Sequence, residues 1–217
     1  MFIFSNLATS IDGKIATHSR VNFLLGTPED HRMMSVLRAK ADAVIMGAST
    51  LRAFKGAVLV KGKKKHPINI VLSGTLAGIS PRWKFFTETQ TRKILFVGPD
   101  APEARIREFE KVSVVCRLKK STAPMSLQIV KHLEKLGVKK LLVEGGGGLM
   151  WDFVQLNLID EYHVTLTPRV IGGTHAPTLV DGVGFTPHRV VNLKLKNVRK
   201  VGNELFLVYA KRTHRGR

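Results

Sequence analysis

Six short apolar runs punctuate this chain, and they limit its fold more than any other feature. They are FIFSNLA near residues 2–8, AVIM at 43–46, INIVL at 68–72, ILFVG at 94–98, VSVVC at 112–116 and KLLVE at 140–144. Each is continuous rather than alternating, which reads as a strand buried on both faces, and such a sheet must be covered by helices. Residues 28–41 supply one cover. Pro28 follows Thr27 at the first helical position, Glu29 and Asp30 suit the first turn, and Met33, Met34, Leu37 and Ala41 form an apolar stripe. Residues 123–137 supply another, with a stripe through Leu127, Val130 and Leu133 and Gly137 as its C-terminal cap. LMWDFVQLNL, after a run of glycines, reads as a third helix.

From Glu161 onward the pattern turns β-rich. YHVTLTPRVIGG, RVVNLKLKNVRKVG and NELFLVYAKR read as strands, with a hairpin turn at Val201-Gly202-Asn203. No linker, repeat or low-complexity boundary divides the chain. The expectation is one α/β domain over residues 1–217, with a mostly parallel central sheet flanked by helices and a C-terminal antiparallel hairpin.

Composition narrows the setting. At 44% hydrophobic and 24% charged, the chain has the balance of a soluble globular protein, and no apolar run reaches the ~20 residues of a membrane helix. MFIFSNLATS has no basic leader and reads as a first strand. The single cysteine, Cys116, reads as a buried structural thiol and excludes an internal disulfide. Together these point to the cytoplasm. Thirty-five Lys and Arg against sixteen Asp and Glu give a net charge of +19, which suits an anionic ligand. The basic residues are partly clustered, in KGKKKH at 61–66 and KRTHRGR at 211–217, without the interleaved aromatics of a base-stacking surface.

The chemistry concentrates at strand ends. KLLVE-GGGG-LMWDFVQL is a strand, a glycine loop and a helix, and a helix start exposes amide groups that seat phosphate. Glycines let that backbone approach an oxyanion; a tight packing turn explains one or two of them and strains at four. The spacing is neither the Rossmann fingerprint nor a P-loop. AVIMGASTLR at 43–52 and IVLSGTL at 70–76 put further small, donor-rich residues at strand ends. Ligands of α/β sheets bind outside the carboxyl ends of strands, so the three sites together fit one extended anionic ligand such as a dinucleotide.

SNLATSIDGKIAT (5–17), LRAKADAVIMGASTL (37–51), LLVEGGG (141–147) and TPRVIGGTHAPTLVDGVGF (167–185), in this order, resemble the riboflavin-pathway pyrimidine reductases over essentially the whole chain. The resemblance implies a dihydrofolate reductase-like fold, NADPH as cofactor, a small-molecule substrate and a homodimer. The match is to the stand-alone type, because no zinc deaminase pattern precedes the reductase blocks and Asn6 stands where bifunctional enzymes usually carry Lys. Such enzymes deliver a hydride from NADPH to the ribose C1′ of a diaminopyrimidinone ribosylamino phosphate, in its open-chain imine form. The resemblance assigns Gly47, Ser49, Thr50 and Arg52 to the cofactor phosphates, Ser73 to the adenosine 2′-phosphate, and Gly145, Gly146 and Gly147 to the pyrophosphate. Ala8, Ile15 and Ala16, with Asp12 as a catalytic candidate, match the loop bordering the nicotinamide. Glu144, the second catalytic candidate, matches a carboxylate near the pyrimidine, with Asn6 beside the substrate. The bare alternatives are a strand-end carboxylate paired with a neighbouring Lys for Glu144 and a plain Asp-Gly turn for Asp12.

One segment departs from the family. After the glycine-threonine turn the family usually runs Ala-Asp-Asp/Asn-Pro, whereas this chain reads RAFKGAVLVKGKKKHP, with Phe54 in place of the first Asp. A phenyl ring cannot order a substrate or relay a proton as a carboxylate does. Three readings therefore stand: the riboflavin-pathway reductase with a remodelled substrate loop; a sister reductase that stacks a planar ring on Phe54; and a basic nucleic-acid-binding protein. The glycine loop and the 167–185 block argue against the third, which needs neither.

Overall fold

A computed structural model describes residues 1–21 and 23–212. Its centre is a nine-stranded sheet in the order β5-β4-β3-β2-β6-β1-β7-β9-β8. The strands are β1 (Phe2–Thr9), β2 (Ala43–Gly47), β3 (Ile68–Ser73), β4 (Lys93–Val97), β5 (Val114–Arg117), β6 (Lys140–Val143), β7 (Glu161–Leu166), β8 (Leu193–Val201) and β9 (Glu204–Lys211). β1 to β7 pair in parallel, and β9 runs antiparallel to both β7 and β8. All six apolar runs contain strands, but VSVVC yields only Val114–Arg117, an edge strand that is exposed or half-buried rather than buried on both faces. The C-terminal hairpin turns at Gly202 and Asn203, with Val201 paired to Glu204 and Gly202 at a left-handed φ of 58°.

Period-two alternation sends the strand side chains into two cores. On one face Phe4, Val44, Met46, Val71 and Leu95 pack beneath α1 (Pro28–Lys40), α2 (Ala48–Phe54), α3 (Lys84–Thr87) and α4 (Glu103–Glu110). On the other, Ile3, Leu7, Ile45, Ile70 and Val143 pack beneath α5 (Met125–Lys135) and α6 (Gly147–Val154). Gly137 closes α5 at φ 78°, where the Val138 amide donates back to the Leu133 carbonyl.

Several expectations change. The buried stripe of α5 is Ser126, Ile129 and Leu133, rotated from the expected line, so Leu127 and Val130 are half-buried. The strand expected over 162–173 ends at Leu166: Pro168 has no amide for a ladder, and Gly172 and Gly173 take φ of 71° and 84°. RVVNLKLKNVRKVG begins with a 3-10 turn, and its strand starts only at Leu193. The strand-end turn expected after Gly47 is instead helix α2, seven residues from Ala48 to Phe54 without a side-chain cap and too short to show a period. Cys116 is half-buried rather than buried, 3.6 Å from His132 Nε2, and burial pushes its thiol pKa up. Residues 213–217 of the basic tail lie outside the described residues.

Candidate functional site

Strand order builds the site. β6 returns between β2 and β1, so the carboxyl ends of these three strands lie side by side where the connections diverge, the usual ligand position in such sheets. A cleft of about 690 Å³ opens there. Asn6, Ala8, Ile15, Ala16, Gly47, Ser49, Thr50, Phe54, Glu144, Gly145, Gly146 and Gly147 all line it. Three candidates do not. Asp12 has its carboxylate occupied by the Ser10 hydroxyl at 2.6 Å and the Ile171 and Gly172 amides at 3.0 and 2.6 Å. These hydrogen bonds, the Ser10 one foremost, hold its pKa down to about 2. Its short side chain satisfies the nearest amides and ties the β1 loop to the loop after β7. Arg52 reaches the Ala77 carbonyl at 3.1 Å and Ser49 Oγ at 3.0 Å, and buried Ser73 accepts the Leu76 amide at 3.1 Å, so both brace the start of the loop after β3.

The four glycines differ in what requires them. Gly145 takes φ 82°, and a Cβ there would come within 3.0 Å of Leu7. A Cβ on Gly147 would overlap the Asp181 carboxylate and the Thr178 carbonyl. Gly146 has only Thr50 Oγ1 nearby, at 3.7 Å, and Gly148 has nothing within 4 Å; neither takes a positive φ. Backbone shape and packing thus account for two glycines and leave two facing open space. α6 starts inside the run, with Gly146 as its N-cap and no side-chain cap. Among the described residues no acceptor meets the amides of Gly146, Gly147 or Gly148. This leaves three donors and the positive end of a helix dipole at the cleft, a fit for a diphosphate. The α2 start, Gly47 to Thr50, lines the same cleft from the neighbouring strand.

Glu144 sits at the β6 end with its side chain only 6% exposed, and its partner is Arg38 rather than a lysine. Arg38 Nε donates to Oε1 and Nη2 to Oε2, both at 2.7 Å, in a forked pair. Removing either partner from so dry a pair costs about 3–5 kcal/mol, because the other charge is left uncompensated. Arg38 also lines the cleft, as do Asp30, Gly148 and Asp181. Sequence reasoning missed all four as site residues. A last-turn arginine and a first-turn aspartate are ordinary helix-end residues, and only their burial sets them apart. Phe54 ends α2 on the cleft wall, 43% exposed, with its ring lying against Gly56.

The family model described as the RibD C-terminal domain matches residues 1–207. The chain is 30% identical over 221 residues to the 2,5-diamino-6-ribosylamino-4(3H)-pyrimidinone 5′-phosphate reductase of Archaeoglobus fulgidus, covering 97% of each chain. It is 28% identical to the enzyme of the same name from Methanothermobacter thermautotrophicus, covering 96% of this chain and 97% of that one. Among solved structures it is similar to a pyrimidine reductase-like protein from Corynebacterium diphtheriae, at a TM-score of 0.84 and 22% identity over 98% of this chain and 92% of that chain. It also resembles the Thermotoga maritima deaminase/reductase, at a TM-score of 0.77 and 20% identity, where it covers 97% of this chain and 56% of that one. These structural likenesses bear on the fold, which is the expected dihydrofolate reductase-like one.

Proposed function

The chain belongs to the RibD C-terminal domain family, and on that premise we propose that it is the NADPH-dependent reductase acting on 2,5-diamino-6-ribosylamino-4(3H)-pyrimidinone 5′-phosphate in riboflavin biosynthesis. The observation that carries the reading is the pair of glycines, Gly146 and Gly148, that neither packing nor φ explains, beside three unpartnered amides at the α6 start. These would hold the cofactor diphosphate, with Gly47, Ser49 and Thr50 on its other side and Ala8, Ile15 and Ala16 along the nicotinamide. Bound there, the cofactor supplies the hydride. The chain's own work is positioning and exclusion of water. Glu144 holds Arg38 in a fixed orientation, and its remaining lone pairs suit the ring amino and NH groups of the pyrimidine. Asn6, whose side chain has no hydrogen-bond partner among the described residues, supplies a donor and an acceptor to the same substrate. Asp12 acts through the loops it ties together, and Arg52 and Ser73 through the edge of the phosphate seat. The reading further makes the protein a cytoplasmic enzyme and a homodimer, for which exposed Leu195 and Val198 on β8 offer apolar surface.

The test is oxidation of NADPH by the purified protein with that ribosylamino phosphate, followed by the nicotinamide absorbance and by the ribitylamino product. Turnover is the expected outcome. Phe54 on the cleft wall favours a second reading, a sister reductase that stacks a different planar ring there. NADPH binding without turnover of the phosphate substrate would select it.

A further inference from the structure

Four carboxylates line the cleft: Asp30, Glu144, Asp152 and Asp181. Glu144 is taken by Arg38, and Asp181 by the amide and hydroxyl of Thr178. Asp152 is half-buried on α6, close to the glycine loop. Asp30 is set apart. Like Asp152, whose pKa burial also raises, it has no ion pair among the described residues, but it is the drier of the two, 8% exposed in the first turn of α1. A first-turn aspartate complements the helix dipole just as well from the water side, without desolvation, so its inward turn needs another reason.

The surroundings are arranged around that turn. A Cβ on Gly26 would overlap the Asp30 side chain, so glycine there makes the room. Glu204 on β9 is 1% exposed, and its two oxygens accept the Thr27 amide at 2.9 Å and the Thr27 hydroxyl at 2.6 Å. It therefore offers Asp30 a second negative charge and no proton. Burial is the largest influence on the Asp30 carboxyl and raises its pKa; the Thr165 hydroxyl on β7 and His31 on α1 pull it down, and Glu204 pushes it up. The net direction is upward, toward a carboxyl that keeps its proton.

Resting on the reductase reading above, we propose that the Asp30 carboxyl is the general acid that opens the substrate's ribose ring. A cyclic ribosylamine has no C=N bond to reduce, so an acid must first cleave the bond between C1′ and the ring oxygen. Asp30 gives its proton to that oxygen, and the electron pair of the breaking bond stays there, leaving a hydroxyl. The lone pair of the exocyclic nitrogen forms the C1′=N bond of an iminium cation, beside the new Asp30 carboxylate. After reduction of that carbon the nitrogen regains its lone pair, and water returns a proton to Asp30. Proton transfer by a positioned side chain contributes about 10²–10⁴-fold in rate.

Asp30→Asn separates this role from a structural one. The variant keeps the size and an acceptor for Thr165 but removes the transferable proton. The expected result is a kcat lowered by about 10²-fold or more, an unchanged Kd for NADPH, and a thermal midpoint equal to or above that of the parent. The parent's activity should fall as pH rises through the Asp30 pKa, and that limb should vanish in the variant. A variant with parental kcat and pH profile, or one that loses only stability, would overturn the proposal. Absence of turnover by the parent would count against the reductase reading itself. The 13C-carboxyl titration of Asp30, which needs no substrate, then decides the rest: a midpoint in the ordinary carboxylate range overturns the acid role, and an elevated one supports it.

Discussion

Gly145 to Gly148 are four identical residues that fall into two classes by what a larger side chain would meet. Left-handed φ fixes Gly145, and contact with Asp181 and Thr178 fixes Gly147, while Gly146 and Gly148 face open space. The two classes should separate on substitution. Gly148→Ala adds a methyl group within the first turn of α6 and removes a glycine penalty of about 1 kcal/mol, so its thermal midpoint should be kept or raised. Its NADPH affinity should drop, as should that of Gly146→Val. Gly147→Ala forces a clash with backbone and carboxylate, and should cost about 1–3 kcal/mol of stability by overpacking. Melting curves with and without NADPH check both expectations. Unaltered NADPH affinity in the Gly146 and Gly148 variants would remove the phosphate role from the loop.

At the scale of elements, the loop after β7 is held by stitches rather than by strand. The Ile11 amide donates to the Arg169 carbonyl at 2.8 Å, the Ile15 amide to Pro177 at 2.9 Å, and Asp12 receives the Ile171 and Gly172 amides. Of these, the Asp12 clamp is the one that titrates. Its carboxyl is held down from 3.8 to about 2, so the folded state favours the charged form. The clamp's contribution is full above the ordinary value of 3.8 and is lost as pH falls through about 2. Asp12→Ala should remove this dependence and speed hydrogen exchange at the Ile171 and Gly172 amides at neutral pH, leaving the β1 and β6 amides protected. Unchanged exchange at those two amides would mean the other stitches suffice.

At the scale of the molecule, the charge of +19 and the sheet edges bear on each other. β8 is exposed along almost its whole length, carries Lys194, Lys196, Arg199 and Lys200, and has an irregular register between Leu195 and Asn197. Charges and a register shift on an edge strand keep another chain from extending the sheet along its backbone edge, which leaves side-chain packing on its faces open. The opposite edge, β5, is only four residues long. No helix among the described residues is long and apolar enough to cross a membrane. A positive molecule should draw an anionic dinucleotide from solution, and salt screens that pull beyond about 8 Å at physiological ionic strength. The association rate for NADPH should therefore fall steeply as salt rises, while kcat at saturation stays level. A rate indifferent to salt would separate the charge from cofactor capture.

Runs of Val, Ile and Leu determined β1 to β4 and β6 by themselves, because a segment apolar on both faces has nowhere to lie but between two helical layers. Four glycines after a carboxylate likewise marked a loop that lines the cleft, since few other sequences leave so many backbone amides bare of side chains. What only the tertiary structure decided is which charged side chains are dry. Asp12 and Asp30 are both short carboxylates near helix or turn starts, and local sequence gives no sign that one is spent on exposed loop amides and the other is turned inward behind Gly26. Arg38 and Glu144 stand 106 positions apart and meet only because β6 inserts beside β1, over which α1 lies. Burial of a charge depends on what long-range packing places around it, and that information is spread over residues distant in the chain.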